Sequence, residues 1–163
     1  MVLGMQGNPK IMAALDELLA AELCAINTYF VNAKLVGNWG FRAIEKKFYD
    51  ESMTEMRHAE TLVDRIIYLD GIPNLNKLGR VKPGKNVTEQ FTVALDLEVS
   101  QCERLAKTVE LCRNEGDEGT RIVLEPMIIA GDETIDWLET QFALIEKLGE
   151  NDYLAQHFGS DEG

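Results

Sequence analysis

Four long segments with the hydrophobic period of an α-helix constrain the fold of this chain more than any other feature. They cover about residues 9–37, 41–70, 86–115 and 117–148, and glycine and proline separate them. Short turns join the first segment to the second and the third to the fourth, whereas a loop of roughly fifteen residues joins the two pairs. Helices of this length span about 40 Å. This order of connections predicts a four-helix bundle with a single crossover.

Cap residues mark the ends of the predicted helices. Asn8, which precedes a proline, is a predicted N-cap of the first helix, and Asn86 with Glu89 three residues later has the spacing of a capping box. The segment 151–158 predicts a short fifth helix. Because the length suits one hydrophobic core, we expect a single domain over 1–163.

Composition argues against several classes of function. The chain has 28 acidic and 16 basic residues, a net charge of −12, and would repel nucleic acid and anionic membranes. It has no apolar run of roughly 18 residues, and its first ten residues lack the layout of a secretion signal. Cys24, Cys102 and Cys112 show no metal-binding spacing, so we expect reduced thiols, mostly in the core. These features predict a cytoplasmic protein whose charge serves solubility or attracts cations.

Three acids lie at the centres of apolar helix faces. Glu22 and Glu98 are surrounded by apolar residues within about 60° on the first and third helices. Glu55 lies on the apolar face of the second helix, with His58 about one turn away. A buried carboxylate is costly unless it is protonated, paired or metal-bound. Each acid alone could bend to solvent or pair with a basic residue, but together they favour a shared iron, manganese or zinc ion.

The sequence resembles bacterioferritin in stretches 22–27, 29–30, 51–58, 71–75 and 135–139, in order and over nearly the whole chain. The resemblance implies an all-α, ferritin-like four-helix bundle with one long crossover and a short fifth C-terminal helix. It implies a hollow shell of about two dozen subunits, built from dimers, that stores ferric mineral. It further implies a ferredoxin-type electron donor.

The resemblance also implies a di-iron ferroxidase centre, which oxidises Fe(II) with oxygen or peroxide. Glu22 matches a terminal ligand of the first iron, Glu55 a bridging carboxylate and His58 a nitrogen ligand of the first iron. Glu98 matches a terminal ligand of the second iron. Tyr29 matches a tyrosine beside the centre, where it either donates an electron or hydrogen bond or serves in packing.

The pattern breaks on the fourth helix. Gly131 and Thr134 stand where the family has its second Glu-x-x-His, and both fall on the buried face, whereas Asp132 and Glu133 point away from it. Pro126 could distort this helix, which leaves open whether either acid replaces the lost ligands. We expect one metal position of reasonable affinity, one weak or empty, and slow paired oxidation of iron.

Met56 matches the methionine that binds haem in the family. It lies about 130° around the helix from the direction shared by Glu55 and His58, and therefore faces outward. The resemblance implies a b-type haem shared between two subunits, each supplying one thioether. Outward methionines otherwise serve ordinary subunit contacts. The other predicted haem-lining residues are Leu23, Ile26, Asn27, Phe30 and Tyr49.

The sequence therefore predicts an iron storage and detoxification subunit whose ferroxidase activity is weakened or absent. The alternative is a non-catalytic, haem-carrying structural subunit that co-assembles with a second bacterioferritin chain holding a complete site. A third hypothesis is a helical scaffold without metal.

Overall fold

The computed structural model describes residues 6–159, so the ends of the expected domain, 1–5 and 160–163, lie outside the described residues. The helices are α1 (Pro9–Asn38), α2 (Arg42–Tyr68), α3 (Val87–Glu115), α4 (Glu118–Leu148) and α5 (Glu150–Ala155), and no strand occurs over 6–159. α1 packs along α2, α3 packs along α4, and α1 also contacts α3. The prediction of a four-helix bundle with one long crossover and a short fifth helix is confirmed.

The helix ends follow the sequence signals closely. The side chain of Asn8 accepts from the backbone N–H of Lys10 at 2.8 Å, and that of Asn86 accepts from the N–H of Glu89 at 2.8 Å. The second helix ends two residues earlier than predicted, at Tyr68, because Asp70 adopts a left-handed conformation with φ of 62°.

α4 runs without a break from residue 118 to residue 148, although Pro126 lies inside it. Gly131 and Thr134 remain on its buried face, whereas Asp132 and Glu133 are exposed. α4 therefore stays helical past Pro126, and both acids point away from the buried centre.

The core consists of two apolar clusters with a polar layer between them. One cluster includes Leu18, Leu62, Leu105 and Leu124; the other includes Phe48, Phe91, Leu138 and Tyr153. The buried acids fall between these two sets along the helices, with apolar packing on both sides of them. Charge interactions are strong in such surroundings.

The three cysteines are free thiols. Cys112 is buried in the first cluster, as predicted, whereas Cys24 and Cys102 are only partly buried. None of the helices within residues 6–159 is long and apolar enough to cross a membrane.

Candidate metal centre

α1 and α2 bring three of the predicted ligands together. Glu22, Glu55 and His58 each offer one ligand atom, and these atoms lie within 4.8 Å of one another. His58 Nδ1 is 3.1 Å from Glu55 Oε2 and 3.9 Å from Glu22 Oε1. Both carboxylates are buried, and the imidazole is partly buried. One nitrogen and several carboxylate oxygens form a donor set that suits a divalent iron, manganese or zinc ion.

The fourth predicted ligand, Glu98 on α3, lies outside this group of three but lines the same small cavity as Glu22 and Gly131. Its Oε1 accepts a hydrogen bond of 2.5 Å from the hydroxyl of Tyr29. The ring of Tyr29 also packs against Phe48, with 5.6 Å between centroids. Tyr29 therefore serves both as a hydrogen-bond donor and as a packing residue.

Burial changes the ionisation of these carboxyl groups. It raises the pKa of Glu22 well above its ordinary value, and the hydrogen bond with Glu55 acts in the same direction. Burial also opposes ionisation of Glu55, but hydrogen bonds from Glu22 and His58 outweigh it and lower the pKa of Glu55. Burial and the charge of Glu55 raise the pKa of Glu98 to about 8. A cation that binds here would displace protons from Glu22 and Glu98.

Gln101 is a site residue that sequence reasoning missed. Its Nε2 donates to Glu22 Oε1 at 2.8 Å and to the Leu18 carbonyl at 3.3 Å. The amide oxygen of Gln101 and the Oε2 atom of Glu22 are both buried without a hydrogen-bond partner. A bound cation would satisfy such acceptors. The available signal was weak, because residue 101 falls at the edge of the face centred on Glu98.

The fourth helix supplies no charged ligand. Gly131 has no side chain, and the hydroxyl of Thr134 lies 3.3 Å from Glu51 Oε2 and 3.2 Å from its own helix carbonyl at Ala130. Glu51 is buried and was not predicted as a site residue, although its spacing of four from Glu55 places it on the same face.

A cavity of about 650 Å³ connects this region with the surface between α1, α3 and the crossover. Its walls reach Glu22, Glu55 and Glu98, and they also include Asp16 and Arg104. The cavity therefore leads from the surface of the bundle to the buried acids.

The predicted haem residues lie on the outer face of the α1–α2 pair. Met56 is 45% exposed, and Phe30 and Tyr49 are each 43% exposed. Leu23 and Ile26 are partly buried against the core, whereas Asn27 is exposed and donates from its amide to the Leu23 carbonyl at 2.8 Å. The side chains of Met56, Phe30 and Tyr49 are thus exposed, and the Lys34 ammonium stands 5.9 Å from the centres of both rings.

Comparison with known proteins gives one consistent result. Residues 12–148 match the model of the ferritin-like domain. The chain is 42% identical to the bacterioferritin of Mycobacterium leprae and to bacterioferritin BfrA of Mycobacterium tuberculosis, over 93% of this chain and 96% of each relative. It is 44% identical to the bacterioferritin of Streptomyces coelicolor, over 93% of this chain and 90% of that protein.

Proposed function

The chain belongs to the bacterioferritin family of ferritin-like proteins, and we propose from this that it is an iron-storage subunit with one functional metal position in its bundle. The observation that carries the proposal is the convergence of Glu22, Glu55 and His58 within 4.8 Å. Iron is the substrate and cargo of this site.

The first metal position fits a divalent cation. The Oε2 atom of Glu22 accepts no hydrogen bond, and Glu55 and His58 stand within reach of a cation that it would bind. Two ionised acids in the core without a cation would be unfavourable by several kcal/mol. Cation binding would release the proton that burial holds on Glu22.

The second metal position does not fit. Gly131 and Thr134 supply neither the carboxylate nor the imidazole of a Glu-x-x-His, and Asp132 and Glu133 face solvent. Glu98 already accepts from Tyr29. We therefore propose that ferroxidase activity, which needs two neighbouring irons, is weakened or absent.

Haem binding belongs to the same proposal. The outward thioether of Met56, with the apolar surface of Phe30 and Tyr49, fits a haem between two copies of the chain. A bound haem would supply electron transfer. The residues would hold it through sulfur ligation and apolar contact.

Assembly into a multi-subunit shell of about two dozen chains in the cytoplasm, with a ferredoxin-type electron donor, completes the proposal. The incomplete fourth helix also favours an alternative, a non-catalytic subunit that carries haem and co-assembles with a ferroxidase-competent partner. Co-expression with such a partner tests this alternative, because shells of mixed composition would then form in preference to separate shells.

Anaerobic calorimetric titration of the metal-stripped protein with Fe(II) tests the main proposal. We expect one tight Fe(II) per chain, lost in Glu55→Gln and retained in Glu103→Gln, which changes an exposed glutamate on α3. Aerobic loading with excess iron should still build a mineral. A protein that binds no Fe(II) and retains no iron would be a scaffold, contrary to the proposal.

A further inference from the structure

The side chain of Lys47 is only partly exposed and packs between α2 and α4. Its ammonium forms an ion pair with Glu51, one turn later on α2, and stands 5.1 Å from the centre of the Trp137 ring on α4. Cation–π contact and the ion pair together hold the ammonium between the two helices. The side chain is 31% exposed, less than half the exposure of the neighbouring Lys46 at 79%.

Glu51 links this ammonium to Thr134, one of the two positions on α4 that lack a metal ligand. Its carboxylate is buried, with one oxygen on Lys47 and the other 3.3 Å from the hydroxyl of Thr134. A chain of contacts thus runs from α2 to α4. It is called the lysine cluster here and consists of Lys47, Glu51 and Thr134. It ends at one of the two positions where the family pattern has a metal ligand.

The buried acids can carry more negative charge than one divalent ion compensates once metal binding has displaced their protons. The buried acids are Glu22, Glu51, Glu55 and Glu98, which carry a charge of −4 when all are ionised. One divalent ion and the ammonium of Lys47 contribute +2 and +1, leaving −1. Without the lysine the remainder would be −2, in a buried layer with apolar packing on both sides.

We propose that the ammonium of Lys47 replaces the second metal cation of the centre and, through the lysine cluster, makes it a one-metal site. This rests on the proposed function, since it presumes that Glu22, Glu55 and His58 bind a divalent ion. In this account Lys47 is a positioning residue, which holds Glu51 away from metal and compensates part of the buried negative charge.

Lys46 provides a matched control. It lies next to Lys47 on α2 and pairs with Asp50 at the same spacing of four residues, at 2.6 Å. Both partners of that pair are exposed, at 79% and 56%. An exposed pair of this kind contributes little, so Lys46→Met removes the same charge from the same helix without touching the centre.

Anomalous diffraction from crystals soaked anaerobically in Co(II) tests the proposal. We expect one cobalt per bundle in the wild type and in Lys46→Met, at Glu22, Glu55 and His58. Lys47→Met should show a second cobalt between Glu51 and Glu98. One cobalt in both the wild type and Lys47→Met would overturn the role of Lys47.

The remaining outcomes separate this inference from the proposed function. Two cobalt ions in the wild type would overturn the inference while the iron site stands. No cobalt in the wild type would overturn the proposed function, and the inference with it.

Thermal unfolding provides a second readout. Lys47→Met leaves Glu51 buried without its cation, so its metal-stripped form should melt below that of Lys46→Met. Co(II) should raise the melting temperature of both proteins, and the rise should be larger for Lys47→Met than for the wild type. An equal rise in the two proteins would contradict the proposal.

Discussion

The thiol of Cys102 on α3 fills the space that a side chain at Gly131 on α4 would need, since a Cβ built at residue 131 would lie 2.5 Å from the sulfur. The same Cβ would lie 3.7 Å from Glu98 Oε2. The thiol at position 102 therefore occupies space that a carboxylate side chain at position 131 would need. A glutamate fits at position 131 only if the sulfur moves or a smaller residue replaces Cys102.

This link predicts how Gly131→Ala affects stability. In an open helix interior the change from glycine to alanine stabilises by about 0.5–1 kcal/mol. We expect no such gain in the wild type, because the new methyl meets the sulfur of Cys102, and a gain of about that size in a Cys102→Ala background. Urea unfolding of the four proteins of this double-mutant cycle measures the coupling. Additive effects would show that the sulfur rotates away without cost.

Glu98 gives the metal-free protein a predicted pH dependence. Its pKa rises from 4.5 to about 8 because of burial and the charge of Glu55, so the folded chain keeps a proton that the unfolded chain releases. The unfolding free energy should therefore fall as pH rises from about 4.5 to 8, by up to about 1.4 kcal/mol per pH unit. Thermal unfolding in the presence of a chelator, over this range, measures the slope.

Glu98→Gln is the control for this pH dependence. The amide keeps an acceptor for Tyr29 but does not ionise, so the slope should become shallower, and the variant should be more stable than the wild type near pH 8. An unchanged slope would assign the effect to Glu22, whose pKa is also raised by burial.

Helical periodicity predicted the residues whose position depends on one helix alone. Glu22, Glu55 and Glu98 are buried because apolar neighbours share their faces, and this can be read from the sequence. Lys47 and Gln101 could not be predicted in the same way. The orientation of Gln101 depends on Glu22 of α1, and that of Lys47 on Trp137 of α4, so both depend on how the helices pack.

The fourth helix shows the same distinction. Periodicity correctly placed Gly131 and Thr134 inward and Asp132 and Glu133 outward. Whether Pro126 distorts the helix depends on tertiary packing, and the structure shows a continuous α4. The thiol that fills the empty space comes from α3, a contact that no pattern along α4 can reveal.

Gln101→Leu should weaken cation binding at the first position. The change removes the donor that orients Glu22 and an amide oxygen without a partner. Loss of an orienting hydrogen bond typically lowers metal affinity about 10–100-fold. Calorimetric titration with Zn(II) measures this. The control is Gln141→Leu, another buried amide, which accepts from Tyr153 at the other end of the core. An equal loss in both variants would indicate general destabilisation.

Met56→Leu should remove haem from protein expressed with sufficient haem. The thioether is the proposed iron ligand, and leucine keeps the apolar volume without the sulfur. Met53→Leu, on the same helix but partly buried, should leave haem content unchanged. The Soret band of the purified proteins measures both. A wild-type protein without a Soret band would contradict the haem proposal, and a band that persists in Met56→Leu would assign ligation to another residue.

Restoring the two missing metal ligands on α4 should accelerate iron oxidation. The wild type should oxidise Fe(II) slowly, because only one position binds iron well. Gly131→Glu with Thr134→His restores the two missing ligands, and Cys102→Ala makes room for the glutamate. Stopped-flow oxidation at two Fe(II) per chain should therefore be faster in this triple variant.

Lys47 should still limit the rate of iron oxidation in the triple variant. If the ammonium of Lys47 replaces the second cation, the triple variant still contains a charge that repels the second iron, since Lys47 still pairs with Glu51, which lies beside position 134. Adding Lys47→Met should then give a further increase in rate, whereas adding Lys46→Met should not. Fast two-iron oxidation by the wild type would contradict this whole account, because Gly131 and Thr134 would then be sufficient for a working second position.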